Sequence, residues 1–337
     1  MTTAAAETEK QDLNVLPAES FRVTEGVAQG DPLGFADELE PDDIYQVAPG
    51  TTPQRLVIET TAQGGVFRVA GPSPTGTPGH TVHLDSCLTL MDPSGFTFEA
   101  LVLVEVEDDA AAAIYMLPLG QIAPDTDYRL VGIDRHAATA RFAEAAMVSF
   151  GRGTRIALAS GLQVPVEALK VGDKVLTRDD GARPIRWIGS TTLRAVGSFA
   201  PVLIRAGALH NSADLVVSPE QRLFVYQRHD DLGAGRPEVL VKARHLVNGT
   251  SVVRQEGGFV DYFQILMDEH QIIFAEGIAT ESLLIDPRTR AALPDEAGRA
   301  MGPGGRHARR KHHEYEVQES LLSQRDAAAL LRRASGR

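Results

Sequence analysis

Hydrophobic and polar positions alternate over short stretches in the first half of the chain, which is typical of half-buried β-strands. Five such stretches are predicted as strands: 55–60, 66–69, 98–106, 114–119 and 128–133. The glycines and prolines of residues 71–79 predict an exposed loop. The pattern therefore predicts a small all-β domain over residues 46–140, in which we recognise no catalytic motif.

The second half of the chain also carries short apolar runs. Three of them are predicted as strands: 215–217, 223–226 and 271–274. Asp180-Gly181 and Asn248-Gly249 predict hairpin turns, because both residues of each pair tolerate a positive φ. This half is therefore also predicted to be rich in β-structure.

The two ends of the chain differ from this β-rich middle. Residues 1–45 are acidic and are interrupted by proline and glycine, which favours a disordered leader. Residues 291–337 are predicted to form a Gly-rich and then basic tail, in which apolar residues at helical spacing over 320–334 predict a C-terminal helix. The predicted fold class is mostly β, with a short helix at the C-terminal end.

Composition limits the chemistry that the chain can perform. Cys87 is the only cysteine among 337 residues, so neither an intramolecular disulfide nor a Cys-based zinc site can form. We expect Cys87 to be a small core residue. His80, His83 and Asp85 are close in sequence but lack further ligand types at a fixed spacing, so we expect no metal and no cofactor.

Charge and hydropathy bear on partners and location. The net charge of −12 argues against nucleic acid as a partner. The basic run 306–313 is interpreted as a solvated tail that balances an acidic body, rather than as a site for nucleic acid or an anionic membrane. No run of 18 apolar residues exists, so no transmembrane segment is expected. Residues 1–20 lack a secretory signal pattern, and we expect a cytoplasmic protein or one exported by a signal-less route.

Several segments of the second half carry a further pattern: 149–156, 166–177, 184–189, 200–209, 214–222, 243–249 and 270–277. In this order, they resemble the Hint (hedgehog/intein) domain of bacterial proteins. The resemblance covers residues 146–290 and implies a Hint β fold there, following an N-terminal β domain of the kind that precedes such domains.

The resemblance implies that this domain attacks its own backbone. A Hint domain moves the acyl group that precedes its first residue onto the side chain of that residue, which is normally a cysteine and here is Ser149. The reacting bond would be Val148–Ser149, so that the N-terminal segment of the chain is the substrate. A hydroxyl has a pKa far above the thiol value of about 8.5, and is the poorer nucleophile at neutral pH. The process would be a single self-cleavage event rather than enzymatic turnover.

The resemblance also implies assisting residues. The family places a Ser or Thr three residues before a His that protonates the departing amide nitrogen, and here Ser218 fits but Gln221 replaces the His. An amide cannot deliver a proton as an imidazolium does. Gln264 also stands where related sequences often carry His, whereas His270 is retained. The candidate catalytic residues are therefore Ser149, Ser218, Gln221 and His270.

Two functions remain open at this point. One is autoprocessing by cleavage at Val148–Ser149, weakened or lost through these replacements; protein splicing is argued against because Thr280-Glu281-Ser282 lacks the asparagine that splicing requires. The other is a catalytically inactive Hint fold that serves as a scaffold or a protein-interaction module. In that case Ser149 only packs, Ser218 is a turn residue, and His270 is structural. The sequence identifies no protein partner.

Overall fold

The computed structural model describes residues 10–60, 66–230, 232–285, 289–300, 315–317, 319–322 and 326–335. The chain divides into two compact units. The N-terminal unit comprises Met1–Ala145 and Asp286–Ala292, and the C-terminal unit comprises Ala146–Ile285 and Leu293–Arg337. Both units are built mainly from antiparallel β-strands, as the sequence predicted.

Within the described residues, the N-terminal unit contains one sheet of nine strands. Its elements are β1 (Lys10–Pro17), β2 (Phe21–Glu25), β3 (Ile44–Val47), β4 (Gln54–Thr60), β5 (Val66–Val69), β6 (Thr81–Met91), β7 (Thr97–Glu107), β8 (Ala110–Pro118), β9 (Tyr128–Asp134) and the helix α1 (Ala138–Ala146). The strand order is β2-β3-β9-β6-β5-β4-β1-β8-β7, and β7 also pairs with β6. This last pairing closes β6, β5, β4, β1, β8 and β7 into a ring, which leaves those strands without an open edge over the paired stretches.

The expectation of a disordered leader over residues 1–45 is wrong for residues 10–45, while residues 1–9 lie outside the described part of the chain. Strand β1 pairs with β4 from Lys10 opposite Glu59 to Val15 opposite Gln54. Leu13 and Val15 are buried in the core of the unit. Polar residues alternate with these apolar ones and face outward, so the acidic composition concealed a strand with period two.

The C-terminal unit contains thirteen strands among its described residues. They are β10 (Phe150–Gly151), β11 (Arg155–Ala157), β12 (Gln163–Pro165), β13 (Lys174–Thr177), β14 (Gly181–Arg194), β15 (Val202–Ile204), β16 (Leu215–Val217), β17 (Arg222–Tyr226), β18 (Glu238–Lys242), β19 (Val252–Arg254), β20 (Phe259–Met267), β21 (Ile272–Ala275) and β22 (Ile278–Glu281). The main path runs β18-β17-β22-β21-β13-β14-β20-β10-β16-β15-β19, and β11 pairs with β12 and β21. One large apolar cluster fills the interior of this unit.

The two predicted hairpin turns have different outcomes. Asp180-Gly181 joins the paired strands β13 and β14, with Gly181 at a φ of +67°. Gly249 also has a positive φ, of +74°. However, Asn248-Gly249 leads into β19, which pairs with β15 rather than with the preceding strand β18. The second turn was therefore correctly located, but it does not form a hairpin.

Several described residues of the C-terminal tail belong to the core of the C-terminal unit. Its described helices are α2 (Asp295–Ala300), α3 (Glu319–Leu322) and α4 (Ala327–Ser335), so that two helices replace the single one predicted over 320–334. Leu322, Ala328 and Leu331 join the main apolar cluster. The basic run 306–313 lies outside the described residues. Among the described helices, none has the length and apolarity to cross a membrane.

Candidate functional site

The short strand β10 is central to the site because it pairs on both sides. Phe150 lies opposite Val217 of β16 and opposite Phe263 of β20. In antiparallel pairing, moving one residue back along β10 means moving one residue forward on each partner. Ser149 is therefore expected between Ser218 and Gln264, which is where the hydrogen bonds place it.

Side chains along β10 point alternately to the two faces of the sheet, so that one face meets the core and the other carries the site. Phe150 is 1% exposed and points into the main apolar cluster, so Ser149 and Gly151 project to the opposite face. Gly151 leaves room for β16: a Cβ at this position would lie 2.8 Å from Val216 Cβ. The absence of a side chain at 151 therefore permits the close strand approach that sets Ser149 against Ser218.

Ser218 contacts the backbone on both sides of Val148. Its hydroxyl accepts a hydrogen bond from the Ser149 amide N–H at 3.1 Å and donates one to the Met147 carbonyl at 2.9 Å. The backbone N–H of Ser218 donates to the Ser149 carbonyl at 2.9 Å. The nitrogen of the Val148–Ser149 bond is therefore within hydrogen-bonding distance of a hydroxyl.

Gln264 contacts the other side of Ser149. Its Nε2 donates a hydrogen bond to Ser149 Oγ at 2.9 Å, and both residues are buried. Sequence reasoning noted Gln264 only as a position where relatives carry His, and did not include it among the candidate catalytic residues. The register of β10 on β20 is the signal that could have placed it beside Ser149.

Gln221 is bound elsewhere. Its Nε2 donates to Thr280 Oγ1 at 2.6 Å and to the Glu281 carbonyl at 2.9 Å, which ties the start of β17 to β22. Its Oε1 is buried without a hydrogen-bond partner in the described part of the chain. The described hydrogen bonds of the Gln221 side chain go to Thr280 and Glu281, and none of them joins it to Ser149.

His270 belongs to a buried network of charged groups. The His270 ring is fully buried, and its Nε2 lies 3.6 Å from Glu281 Oε1. Glu281 Oε2 pairs with Arg222 at 3.1 Å, and Arg222 also pairs with Glu316 of the tail at 3.1 Å. Burial alone would lower the pKa of Arg222, but Glu281 and Glu316 raise it above its ordinary value.

Glu220, the residue before Gln221, extends this network. Its carboxylate pairs with Lys242 at 3.1 Å and with Arg244. Burial alone would raise the pKa of Glu220, but the two cations bring it down to about 2. Lys242 also lies 3.5 Å from Glu316, so this second set of ion pairs connects to the tail as well.

The other titratable residues singled out in the sequence lie in the N-terminal unit. His80 Nδ1 hydrogen-bonds Glu105 at 2.8 Å, and Tyr115 also donates to that buried carboxylate. Within the residues that the structure describes, no group of three or more His, Cys, Asp or Glu side chains is arranged to hold a metal ion. Cys87 is buried, and burial is the main cause that raises the pKa of its thiol to about 12.

A comparison with models of protein families gives one assignment. Residues 148–287 match the model of a protein family described as the Hint domain. The crystal structure of gp41-1 intein is similar over 40% of this chain and 97% of its own, with 10% sequence identity and a TM-score of 0.25. No curated protein matches the chain. The chain therefore contains a Hint domain over residues 148–287.

Proposed function

We propose that the Hint domain performs a slow self-cleavage at Val148–Ser149, which begins with an acyl shift onto Ser149 Oγ. The observation that carries this proposal is the pair of contacts around Ser149. Ser218 Oγ lies 3.1 Å from the reacting nitrogen, and Gln264 Nε2 lies 2.9 Å from the reacting oxygen. All three side chains are buried, so these contacts are held without competition from bulk water.

The proposed reaction has two steps. In the first, Ser149 Oγ forms a bond to the carbonyl carbon of Val148 and the C–N bond between the residues breaks. The hydroxyl proton is transferred to the departing nitrogen, which lies 3.1 Å from the Ser218 hydroxyl oxygen. In the second, water or a small nucleophile adds to the ester carbonyl and releases residues 1–148, while Ser149 regains its hydroxyl.

The side chains around Ser149 also set the expected rate. Neither Ser218 nor Gln264 titrates near neutral pH, and an amide donor cannot protonate the leaving amine. A positioned acid–base group contributes about 10²–10⁴-fold to such a step, and a serine is a weaker nucleophile than a cysteine. We therefore expect cleavage to be slower than in a chain with cysteine at position 149 and a histidine beside it.

Intact-mass spectrometry of the full-length chain tests the proposal. Hydroxylamine traps an ester as a hydroxamate, so incubation should release residues 1–148 with a C-terminal hydroxamate on Val148. Ser149→Ala should remove this product, and Ser149→Cys should accelerate its formation and make it sensitive to dithiothreitol. Ser160→Ala is the matched control, because Ser160 lies on an exposed turn of the same unit. This variant should be cleaved at the same rate as the native chain.

A non-catalytic role is the second candidate. It is favoured by one observation: the side chains that hydrogen-bond Ser149 are a serine and a glutamine, and neither can act as an acid at neutral pH. If native chain and Ser149→Cys both stay uncut with hydroxylamine, the acyl-shift proposal is refuted. The Hint domain would then be a scaffold or interaction module. If only Ser149→Cys is cut, the geometry is competent and the serine alone has abolished the reaction.

A further inference from the structure

The polar residues around Ser149 form part of a row that continues onto a fourth strand. Gly189 of β14 lies directly opposite Gln264 of β20. Directly opposed residues in antiparallel strands point to the same face, with Cβ atoms about 4.5–5.5 Å apart. The row across β16, β10, β20 and β14 is therefore Ser218, Ser149, Gln264 and Gly189. A side chain at 189 would lie against the flank of Gln264 that faces away from Ser149.

The indole of Trp187 fills the place of that missing side chain. Trp187 lies two residues before Gly189 on β14, and so projects to the same face. A Cβ built on Gly189 would lie 2.6 Å from Trp187 Cζ2 and 2.8 Å from Cζ3, and would overlap Cη2. Only glycine at 189 lets the indole take this position.

The placement matters because a glutamine side chain has three rotatable bonds. Holding its amide in one orientation carries a conformational entropy cost, which is reduced when packing already restricts the rotamers. Gln264 has Ser149 on one flank and, on the other, Gly189 with the indole seated over it. A planar, rigid indole is suited to restricting the amide, since it has only two rotatable bonds of its own.

We propose that Trp187 is a positioning residue for the site: its indole, seated over Gly189, holds the Gln264 amide against Ser149 Oγ. Its effect on the reaction rests on the proposed acyl shift, whereas its effect on Gln264 does not. Trp187 is the only tryptophan of the chain. Trp187 and Gly189 therefore act together: the indole forms the aromatic wall, and the missing side chain of Gly189 leaves the gap that admits it.

Two readouts on the full-length chain test this proposal, and four variants are compared. Trp187→Ala removes the wall, Gly189→Ala displaces it without removing it, and Trp187→Phe keeps an aromatic ring. Ser190→Ala is the control, because Ser190 is exposed and adjacent on the same strand but projects to the other face. The first readout is the side-chain amide signal of Gln264 in ¹⁵N NMR, assigned by its loss in Gln264→Leu. The second is the rate of hydroxylamine-dependent release of residues 1–148.

The expected result is a shifted or broadened Gln264 amide signal in Trp187→Ala and Gly189→Ala, and a native signal in Ser190→Ala. In Trp187→Phe, which keeps an aromatic ring, the Gln264 amide signal should stay close to that of the native chain. Release should fall about 10-fold or more in the first two variants, because small misplacements of a reacting group are costly. The urea unfolding midpoint of each variant is also measured, and both readouts are taken under conditions in which every variant compared is folded. A loss of global stability is then not mistaken for a change at the site.

The two proposals fail separately. A Gln264 amide signal that is unchanged in both Trp187→Ala and Gly189→Ala overturns the positioning role, whether or not the chain cleaves. A changed signal in a chain that never releases residues 1–148 supports the positioning role and refutes the acyl shift. If Trp187→Ala does not fold, Gly189→Ala and Trp187→Phe still decide the question.

Discussion

Removing the side chain of Leu331 should destabilise the C-terminal unit strongly, although this residue lies beyond the region that matches the Hint family. Leu331 is fully buried and belongs to the main apolar cluster of that unit. Truncation of a buried leucine to alanine costs about 2–5 kcal/mol, since the lost transfer energy is added to that of the cavity left behind. With a urea m-value of about 1–3 kcal/mol/M, the unfolding midpoint of Leu331→Ala should fall by roughly 1 M or more.

Intrinsic fluorescence is the assay, because Trp187 is the only tryptophan and lies in the C-terminal unit. Leu321→Ala is the matched control: Leu321 is in the same tail but 38% exposed, and its truncation should change the free energy of unfolding by about 1 kcal/mol or less. A Leu331→Ala midpoint equal to that of Leu321→Ala would refute the reasoning. The tail would then be an appendage rather than part of the core.

Three further predictions follow from particular contacts. Gln264→His should accelerate release of residues 1–148 more than Gln221→His does in the same mass-spectrometric assay, because Gln264 contacts Ser149 Oγ whereas Gln221 is bonded to β22; equal or reversed effects would contradict this. Burial would raise the pKa of Glu220, but its cationic neighbours lower it from 4.5 to about 2, so its stabilisation is present above pH 4.5 and is lost as the pH falls toward 2. The urea midpoint of the native chain should therefore fall more steeply over that pH range than the midpoint of Glu220→Gln. Cys87, with a thiol pKa raised to about 12 mainly by burial, should react with a thiol reagent at pH 8 only after unfolding in denaturant, and rapid labelling of the folded chain would contradict its burial.

The sequence was a good guide wherever a local pattern carries the structure. The strand predicted over 98–106 is β7 (Thr97–Glu107), and the Asp180-Gly181 turn joins two paired strands. Strand β1 was missed because its charged and amide residues dominated the composition of residues 1–45, whereas its inward positions are apolar. The composition of a segment averages over both faces of a strand, whereas only the residues of the inward face need to be apolar.

The contacts of Ser149 could not be predicted from local sequence, because they depend on the register between strands that are far apart along the chain. Ser218 and Gln264 lie 69 and 115 residues from Ser149 along the chain, and each is brought to it by pairing with β10. Motif spacing alone grouped Ser218 with Gln221, which is three residues away. The short turn between β16 and β17 sends Ser218 to β10 and Gln221 to β22. Residues that are close in sequence thus contact different strands, and a pattern within one segment cannot predict this.

The side chains described as hydrogen-bonded to Ser149, those of Ser218 and Gln264, also predict the pH dependence of cleavage. His270 is fully buried and faces Glu281, and no described hydrogen bond joins it to Ser149. Deprotonation of the hydroxyl should then depend on hydroxide, so the initial rate of hydroxylamine-dependent release should rise steadily between pH 6 and 9, measured at a constant concentration of unprotonated hydroxylamine. A histidine acting as acid or base would instead produce an inflection in the pH–rate profile. An inflection in the native chain that disappears in His270→Gln would show that His270 acts on the reacting atoms. A steady rise in both chains would leave Ser218 and Gln264 as the groups that support the reaction.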